Sequence, residues 1–312
     1  MTARSVDFRV VLAFGAIYIL WGATFLAIRI AVLEVPPFYV AGLRFFIAGA
    51  ALHVFMRLRG EPNPTRHEWR NLALIGLCMF VATYGPLFWA EQYVSSSITS
   101  VIEATLPITT ITLEVFVFRR MALQWQTLAG VVLGFSGVAL LLINNGEQHL
   151  AIVPCLVILC AGVAWSLGAV LSGQLTLPRS RPLTAGSEMM LGGAVLLALS
   201  AASGELHPFP HFTVRSSVAL VYLITCGSLI AYTAYVWLLG HTSATRVASH
   251  AYVNPLVAVA LGYFAAGDLI TSRTIMAATL IVASVFLILA SGGKRAQRAP
   301  VPARDLSAVR DG

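Results

Sequence analysis

The amino-acid sequence repeats itself, because its first half aligns with its second half at an offset of 144 residues that drifts to 148. Trp21 then falls on Trp165, and Tyr84 falls on Tyr232. Each half contains five long apolar segments, which is an odd number. A second unit with an odd number of membrane crossings must enter the bilayer upside down relative to the first. The repeat therefore predicts two inverted units related by a two-fold axis in the membrane plane, an arrangement typical of transporters.

The apolar segments predict membrane-spanning helices. Of all residues 58% are hydrophobic and 11% are charged, whereas a soluble domain has about 25% charged residues. Most segments reach the roughly 20 residues that a helix needs to cross the hydrocarbon core, and they lack the alternating polarity of barrel strands. We therefore expect an all-α integral membrane protein with ten transmembrane helices. The predicted runs are 8–28, 37–56, 71–90, 95–117, 124–143, 150–171, 183–202, 216–239, 243–266 and 273–291.

The runs and the segments between them predict the domain organisation. Polar residues dilute the fourth and ninth runs, and a Tyr-Gly-Pro sequence interrupts the third. A turn-rich Asn-Asn-Gly segment separates the two halves, and the chain ends in a Gly, Lys, Arg, Pro and Ala sequence without apolar periodicity. We predict a first five-helix repeat over 1–143, an outer linker over 144–149, a second repeat over 150–291 and a disordered basic cytoplasmic tail over 292–312.

The positive charges predict the orientation in the membrane. With the amino terminus in the cytoplasm, fifteen Lys and Arg residues fall on the inner side, and only Arg29, Arg215 and Arg273 fall on the outer side. This asymmetry follows the positive-inside rule, so both termini are expected in the cytoplasm. The net charge of +7 thus orients the chain and does not indicate a nucleic-acid partner. The four cysteines have no metal-ligand spacing, so neither a metal nor a cofactor is expected.

Charged residues inside the runs require a structural or functional explanation. Inserting a charged side chain at the bilayer centre costs on the order of 3 kcal/mol. Glu103 and Glu114 lie eleven residues apart on the fourth run, about three turns, and so share a face. Arg246, His250 and Asn254 follow at successive four-residue steps on the ninth run. The two runs are repeat equivalents, so both polar stripes are expected to face the centre.

Glu103 and His250 are the predicted proton-coupling residues, because their positions align to within one residue between the repeats. Histidine titrates near neutral pH, and a desolvated carboxyl can hold a proton there. The alternative is structural: Glu103 bonds a helix hydroxyl, and His250 bonds a neighbouring carbonyl. Glu114 is expected to reach the cytoplasmic surface near Arg119.

Arg44 and Glu188 occupy equivalent positions in the second and seventh runs. Equivalent positions of inverted units lie at mirrored depths, so separate structural contacts are expected. A salt bridge between the repeats is the alternative.

Two backbone features also recur in the sequence. Pro107 and Pro255 fall at equivalent mid-run positions and are predicted to kink their helices, either at a transport site or as static bends for packing. Gly130 and Gly134 form a GxxxG pattern, which predicts close helix packing.

The candidate lining combines these groups with aromatic residues that carry polar tips. Trp89 and Trp237 are better explained by aromatic belts at the membrane interface. The predicted substrate-binding residues are Tyr18, Trp21, Thr24, Tyr84, Thr99, Glu103, Trp165, Tyr232, Tyr235, His250 and Asn254.

Several stretches together resemble the EamA domain of the drug/metabolite transporter superfamily, and they span nearly the whole chain except the tail. They are Trp21-Gly-Ala-Thr-Phe25, Pro37 to Arg44-Phe45, Gly130 to Val138, Tyr235-Val-Trp237, Ser249 to Asn254-Pro255 and Gly267-Asp268. The resemblance implies ten helices in two inverted EamA units, and export or exchange of small metabolites such as amino acids and their derivatives. Two positions depart from the family pattern: Asp268 replaces the usual glutamate of the second unit, and Met121 replaces the acid of the first.

The sequence thus predicts a secondary transporter that exports a small amphipathic metabolite across the bacterial cytoplasmic (inner) membrane by alternating access. Proton coupling and passive facilitation both stay open, as does a homodimer. An intramembrane enzyme is disfavoured because the chain has no HExxH motif and Gly267-Asp268 lacks a partner aspartate within any helix. A sensor is disfavoured because no soluble domain is present. The expected partners are a small-molecule substrate and the lipid bilayer.

Overall fold

The computed structural model describes residues 8–94, 96–119, 122–142, 151–261 and 272–290. Every regular element in this part of the chain is helical. The predicted linker 144–149, the predicted tail 292–312 and the two family-pattern positions Met121 and Asp268 lie outside the described residues.

The helical segments join into ten helices, five in each half. They are α1 (Phe8–Val32), α2 (Pro37–Leu58), α3 (Arg66–Ala90), α4 (Ser96–Glu103 followed by Leu106–Val117), α5 (Trp125–Leu142), α6 (Ile152–Ser172), α7 (Arg181–Ala202), α8 (Val214–Leu239), α9 (Ala244–Ala248 followed by His250–Leu261) and α10 (Ser272–Ala290). Among the described residues, α1, α2, α3, α6, α7 and α8 are each long and apolar enough to cross a membrane alone. The interrupted helices α4 and α9 correspond to the two runs that polar residues dilute.

The repeats run in opposite directions, and the packing of α2 against its equivalent α7 shows this directly. Along their contact the residue number rises in one helix as it falls in the other. The facing pairs are Gly42 with Leu197, Phe46 with Gly193, Gly49 with Met190 and His53 with Gly186. The equivalent helices α5 and α10 also pair in antiparallel fashion, with Gly130 near Ile288 and Gly137 near Ile281. The predicted inverted repeat is therefore confirmed.

Glycine permits these close approaches. A Cβ atom on Gly49 would lie 2.8 Å from the Gly186 carbonyl oxygen, too close for any side chain. Gly130 and Gly134 pack against α10 in the same way, with an added Cβ on Gly134 only 2.5 Å from the Ser284 hydroxyl. The GxxxG prediction of close helix packing is confirmed.

The remaining helices surround the centre of the molecule. Helix α1 contacts α8 and α9, and its equivalent α6 contacts α3 and α4, while α4 and α9 contact each other. Exchanging the two repeats turns the α1–α8 and α1–α9 contacts into the α6–α3 and α6–α4 contacts, and it leaves the α4–α9 contact unchanged. A two-fold axis requires this pattern. The centre is therefore shared by both repeats, and α1, α3, α4, α6, α8 and α9 enclose it.

Two equivalent π-helical segments lie beside this centre. They are Leu77–Tyr84 within α3 and Leu223–Tyr232 within α8, and each ends at one of the equivalent tyrosines Tyr84 and Tyr232. A π-helical segment inserts extra backbone into a helix and is frequent at functional sites. The sequence interpretation identified the interruption of the third run but not its π-helical geometry or the equivalent in α8.

The two prolines have different positions in their helices. Helix α4 is broken at Ala104 and Thr105, and Pro107 lies in the first turn of the helix that restarts at Leu106. A proline cannot donate to the carbonyl four residues earlier, here that of Glu103, so the helix ends there. The prediction that Pro107 lies in mid-helix is therefore wrong. Pro255 does lie inside a helix, and α9 is interrupted earlier, at Ser249.

Candidate functional site

A small cavity lies between the repeats, where α1, α3, α4, α6 and α9 meet. Its volume is about 30 Å³, which holds about two water molecules, whereas a metabolite-sized site needs roughly 300 Å³ or more. In this structure the cavity is therefore too small to hold a metabolite. The lining residues are Trp21, Thr24, Phe25, Ile28, Thr83, Tyr84, Leu87, Glu103, Trp165, His250 and Asn254.

Seven of the eleven predicted substrate-binding residues line this cavity. They are Trp21, Thr24, Tyr84, Glu103, Trp165, His250 and Asn254. Four lining residues were missed, Phe25, Ile28, Thr83 and Leu87. The first two extend the face of Trp21 and Thr24 at helical spacing, a signal that the sequence carries. The other two flank Tyr84 within and just after the π-helical segment, and the sequence does not reveal that geometry.

Aromatic rings form one wall of the cavity. The ring centroids of Trp21 and Trp165 lie 5.6 Å apart with an interplanar angle of 75°. The Trp165 and Tyr84 centroids also lie 5.6 Å apart, at 88°. Near-perpendicular rings are a favourable arrangement because the positive edge of one meets the negative face of the other. Contacts between these aromatic rings thus stabilise the wall.

The indole nitrogens of the two equivalent tryptophans have different environments. Trp21 Nε1 donates to the Gly227 carbonyl at 2.9 Å. Trp165 Nε1 is buried without a partner of good hydrogen-bond geometry, although it interacts with the Tyr235 side chain. One unused donor therefore belongs to a residue that lines the cavity.

Glu103 and His250 both line the cavity, and each has a distinct hydrogen-bonding state. The Oε1 atom of Glu103 is buried without a hydrogen-bond partner. His250 is only 4% exposed, and its Nδ1 lies 2.9 Å from the Val247 carbonyl. Because a carbonyl only accepts, Nδ1 carries a proton, and Nε2 is the nitrogen left to exchange one. This carbonyl contact is the one that the structural alternative predicts for His250.

Asn254 adds a second unused acceptor to the cavity wall. It is 3% exposed, and its Oδ1 atom is buried without a partner. It lies one helical turn after His250 on α9, as the polar stripe of the ninth run predicts. The cavity therefore presents unpaired acceptors from both repeats, since Glu103 belongs to α4.

The other four predicted residues lie outside the lining. The Tyr18 hydroxyl is 2.8 Å from that of Ser249, and Thr99 is buried within α4. Tyr235 lies behind the aromatic wall, with its ring centroid 5.1 Å from those of both Trp21 and Trp165. Tyr232 is equally buried, and its hydroxyl points away to Glu188. Sequence spacing could place these residues near the centre but could not separate the lining from the layer behind it.

Arg44 and Glu188 make separate contacts, as expected. Arg44 Nε donates to the Ser228 hydroxyl at 2.9 Å, and its guanidinium lies 5.2 Å from the Tyr84 ring centroid. Glu188 accepts from the Tyr232 hydroxyl at 2.7 Å. Although both residues are buried and described, they form no ion pair with each other. The Arg44–Ser228 contact connects the two repeats, whereas Glu188 and Tyr232 both belong to the second repeat.

Glu114 does not reach the cytoplasmic surface beside Arg119, so that prediction is wrong. The side chain is 8% exposed, and its carboxylate accepts from the backbone amides of Ala244 and Thr245 at 3.3 and 3.1 Å. It also accepts from the Thr245 hydroxyl at 2.5 Å. The first amides of α9 have no partners within their own helix, and a helix N-terminus attracts negative charge. Glu114 of the first repeat therefore caps a helix of the second.

The sequence interpretation also missed a buried acid at the end of α3. Glu91 is fully buried, and both of its carboxylate oxygens lack hydrogen-bond partners. Arg29 donates to the backbone carbonyls of Glu91 and Val94. Glu91 is separate from the cavity lining.

The comparisons with known proteins agree with this architecture. The model of the EamA-like transporter family matches residues 8–143 and again residues 152–290. The chain belongs to this family. The resemblance seen in the sequence is thus confirmed, and the protein is a multi-pass membrane transporter and not an enzyme.

Relatives of this EamA transporter align along most of its length. The uncharacterized inner membrane transporter YedA of Escherichia coli K12 is 36% identical over 282 residues, 88% of this chain and 89% of YedA. The uncharacterized transporter YoaV of Bacillus subtilis is 24% identical over 285 residues, 89% of this chain and 96% of YoaV. A probable amino-acid metabolite efflux pump of E. coli K12 is 24% identical over 283 residues, 87% of this chain and 91% of the pump.

A solved crystal structure shares the fold of this EamA transporter. The two superpose with a TM-score of 0.73 at 17% sequence identity, and the match covers 90% of this chain and 96% of the other. At this identity the likeness concerns the fold alone. It agrees with the ten-helix, two-repeat architecture.

Proposed function

We propose that this EamA transporter is a secondary transporter that exports a small amphipathic metabolite, an amino acid or a derivative of one, by alternating access. The observation that carries the proposal is the cavity lined by residues of both inverted repeats, where a shared site is expected. We place the protein in the bacterial cytoplasmic membrane with both termini in the cytoplasm. The two transport units comprise residues 1–143 and 150–291.

The composition of the lining supports an amphipathic substrate. Aromatic and aliphatic side chains supply most of the wall, and Thr24, Thr83, Glu103, His250 and Asn254 supply polar groups. The lining residues that the structure describes include neither Lys nor Arg, which does not suit a polyphosphate. The relation to a probable amino-acid metabolite efflux pump supports the same substrate class.

The helix interruptions support alternating access. Glu103 immediately precedes the break in α4, and His250 immediately follows the break in α9. Discontinuous helices are typical of transporter binding sites, and their ends provide hinges. The glycine-mediated pairs α2–α7 and α5–α10 are close-packed and suit a fixed frame. In the proposed cycle, the helices around the cavity move against this frame to open the site on either side.

We further propose that Glu103 and His250 couple export to protons. Both line the cavity and belong to opposite repeats. The unpartnered oxygen of Glu103 and Nε2 of His250 are atoms that can take up or release a proton during the cycle. A passive facilitator would carry the same substrate at a rate that does not depend on the pH gradient. Flux measured with and without a pH gradient therefore distinguishes the two mechanisms.

The experiment is solute flux in vesicles reconstituted with the full chain. A toxicity-rescue screen with amino acids and their analogues identifies the solute, whose flux is then measured with and without a pH gradient. We expect the gradient to accelerate flux in the wild type but not in Glu103→Gln. The matched control is Glu188→Gln, which alters a buried acid outside the cavity and should retain the acceleration. Gradient-driven flux that persists in Glu103→Gln would refute the proton assignment, and absence of any solute flux would refute the transport proposal.

A further inference from the structure

We propose that the central cavity selects a cationic amine whose carboxyl group is absent or is masked as an amide or ester. The inference rests on the transport function proposed above and specifies the chemistry of its substrate. It follows from the unused hydrogen-bonding atoms of the lining, from the rings around them and from the distribution of positive charge.

The unused acceptors of the lining can accept hydrogen bonds from a ligand. Glu103 Oε1 and Asn254 Oδ1 are both buried without partners, and both residues line the cavity. Buried acceptors are normally paired in folded proteins. An ammonium group has several N–H donors and a positive charge, so it can satisfy the carboxylate and the amide oxygen at once. It thus complements Glu103 in charge as well as in hydrogen bonding.

The aromatic wall favours the same group. Trp21, Trp165 and Tyr84 line the cavity at near-perpendicular ring angles. The faces of such rings attract cations, and aromatic cages are a recurring way to bind ammonium groups. The rings also offer apolar surface to the body of an aromatic or aliphatic amine.

The part of the cavity lining that the structure describes has no Lys or Arg to match a free carboxylate. His250 uses Nδ1 for the Val247 carbonyl. Arg44 is outside the lining, and its Nε donates to Ser228 on α8. While His250 is neutral, a carboxylate entering the cavity would therefore meet the Glu103 carboxylate without a compensating positive charge.

An N–H donor of the described lining suits a neutral carbonyl. Trp165 Nε1 is buried without a partner of good hydrogen-bond geometry and can donate to an amide or ester oxygen. The lining thus pairs two acceptors with one neutral donor. An amino-acid amide or ester carries the complementary groups, an ammonium and a neutral carbonyl, on one small molecule.

The experiment compares three probes that share a benzyl group and differ in charge: phenylalaninamide, phenylalanine and 3-phenylpropionate. Binding to the full chain in lipid nanodiscs is measured by isothermal titration calorimetry and by quenching of tryptophan fluorescence. We expect phenylalaninamide to bind at least tenfold more tightly than phenylalanine, and 3-phenylpropionate not to bind. Equal or tighter binding of phenylalanine, or binding of none of the three, would overturn the inference.

Two variants test whether the cavity lining is responsible for the preference for the amine. Glu103→Gln should weaken phenylalaninamide binding at least tenfold, and Asn254→Leu should weaken it by a smaller factor. Glu188→Gln is the matched control for a buried acid outside the cavity and should bind like the wild type. Each variant is first checked for a monodisperse elution profile. Wild-type affinity in both Glu103→Gln and Asn254→Leu would contradict the assignment.

Flux in reconstituted vesicles separates this inference from the transport proposal. Vesicles that move phenylalanine or another zwitterion but ignore phenylalaninamide would refute amine selection and leave the transport function intact. Vesicles that move no solute would refute both. Movement of the amide in preference to the free amino acid would support both.

Discussion

Trp21 and Trp165, which occupy equivalent positions in the two repeats, meet edge to face with their ring centroids 5.6 Å apart. The inverted repeat thus brings two copies of one residue together beside the central cavity. Their hydrogen bonds differ, since Trp21 Nε1 donates to the Gly227 carbonyl, whereas Trp165 Nε1 lacks a partner of good hydrogen-bond geometry. Because the two residues are equivalent but differ in their hydrogen bonds, substitutions of one can serve as the control for the same substitution of the other.

Replacing each tryptophan with phenylalanine should affect stability unequally. Trp21→Phe removes the hydrogen bond to the Gly227 carbonyl, which should cost about 1 kcal/mol beyond the packing loss. Trp165→Phe removes a donor that lacks a partner of good hydrogen-bond geometry, so its melting temperature should be higher than that of Trp21→Phe. Thermal unfolding of the purified variants in detergent measures both. Identical melting temperatures would argue against this asymmetry.

A methyl group at the α2–α7 contact should destabilise the fold. A Cβ at Gly49 would approach backbone atoms of α7, including the Gly186 carbonyl oxygen at 2.8 Å. We expect Gly49→Ala to cost about 1–3 kcal/mol, as overpacking does. In Gly15→Ala the added Cβ meets nothing within 4 Å, and the change should be neutral or slightly stabilising because alanine favours a helix. A Gly49→Ala protein as heat-stable as Gly15→Ala would contradict the close approach.

The bond between Glu114 and Thr245 should appear as a coupling between the repeats. Both backbone and side chain of Thr245 donate to this carboxylate. Glu114→Ala should be strongly destabilising, because buried hydrogen bonds to a charged group are worth about 1.5–3 kcal/mol. In the double variant with Thr245→Ala, the loss should be less than the sum of the two single losses. Additive losses in thermal unfolding would show that the two side chains do not interact.

The sequence predicted the features that depend on periodicity and repetition. The helix count, the inversion and the GxxxG contact follow from local patterns and from the 144-residue offset. Helical spacing places Trp21 and Thr24 on one face of α1. The same spacing places Phe25 and Ile28 on that face, so it could also have predicted these two as lining residues. These features need no knowledge of how distant helices pack.

The features that the sequence did not predict depend on tertiary contacts. Glu114 bonds to residues 130 and 131 positions away, and no local pattern indicates that pairing. Helical spacing predicted that Tyr232 and Tyr235 line the central cavity. In the structure both tyrosines pack behind the aromatic wall, whereas Trp165 lines the cavity. The unpaired state of Trp165 Nε1 depends in the same way on which groups surround it.

The accessibility of Thr24 from the two sides of the membrane tests the central claim most directly. Thr24→Cys is made in a variant without Cys78, Cys155, Cys160 and Cys226, and vesicles are treated with a membrane-impermeant thiol reagent on one side at a time. Because Thr24 lines the cavity, alternating access predicts labelling from each side, slowed by the transported solute. Leu26→Cys, at an exposed and lipid-facing position of the same helix, should stay unlabelled. Labelling of residue 24 from one side only, under every solute and pH condition, would contradict the account.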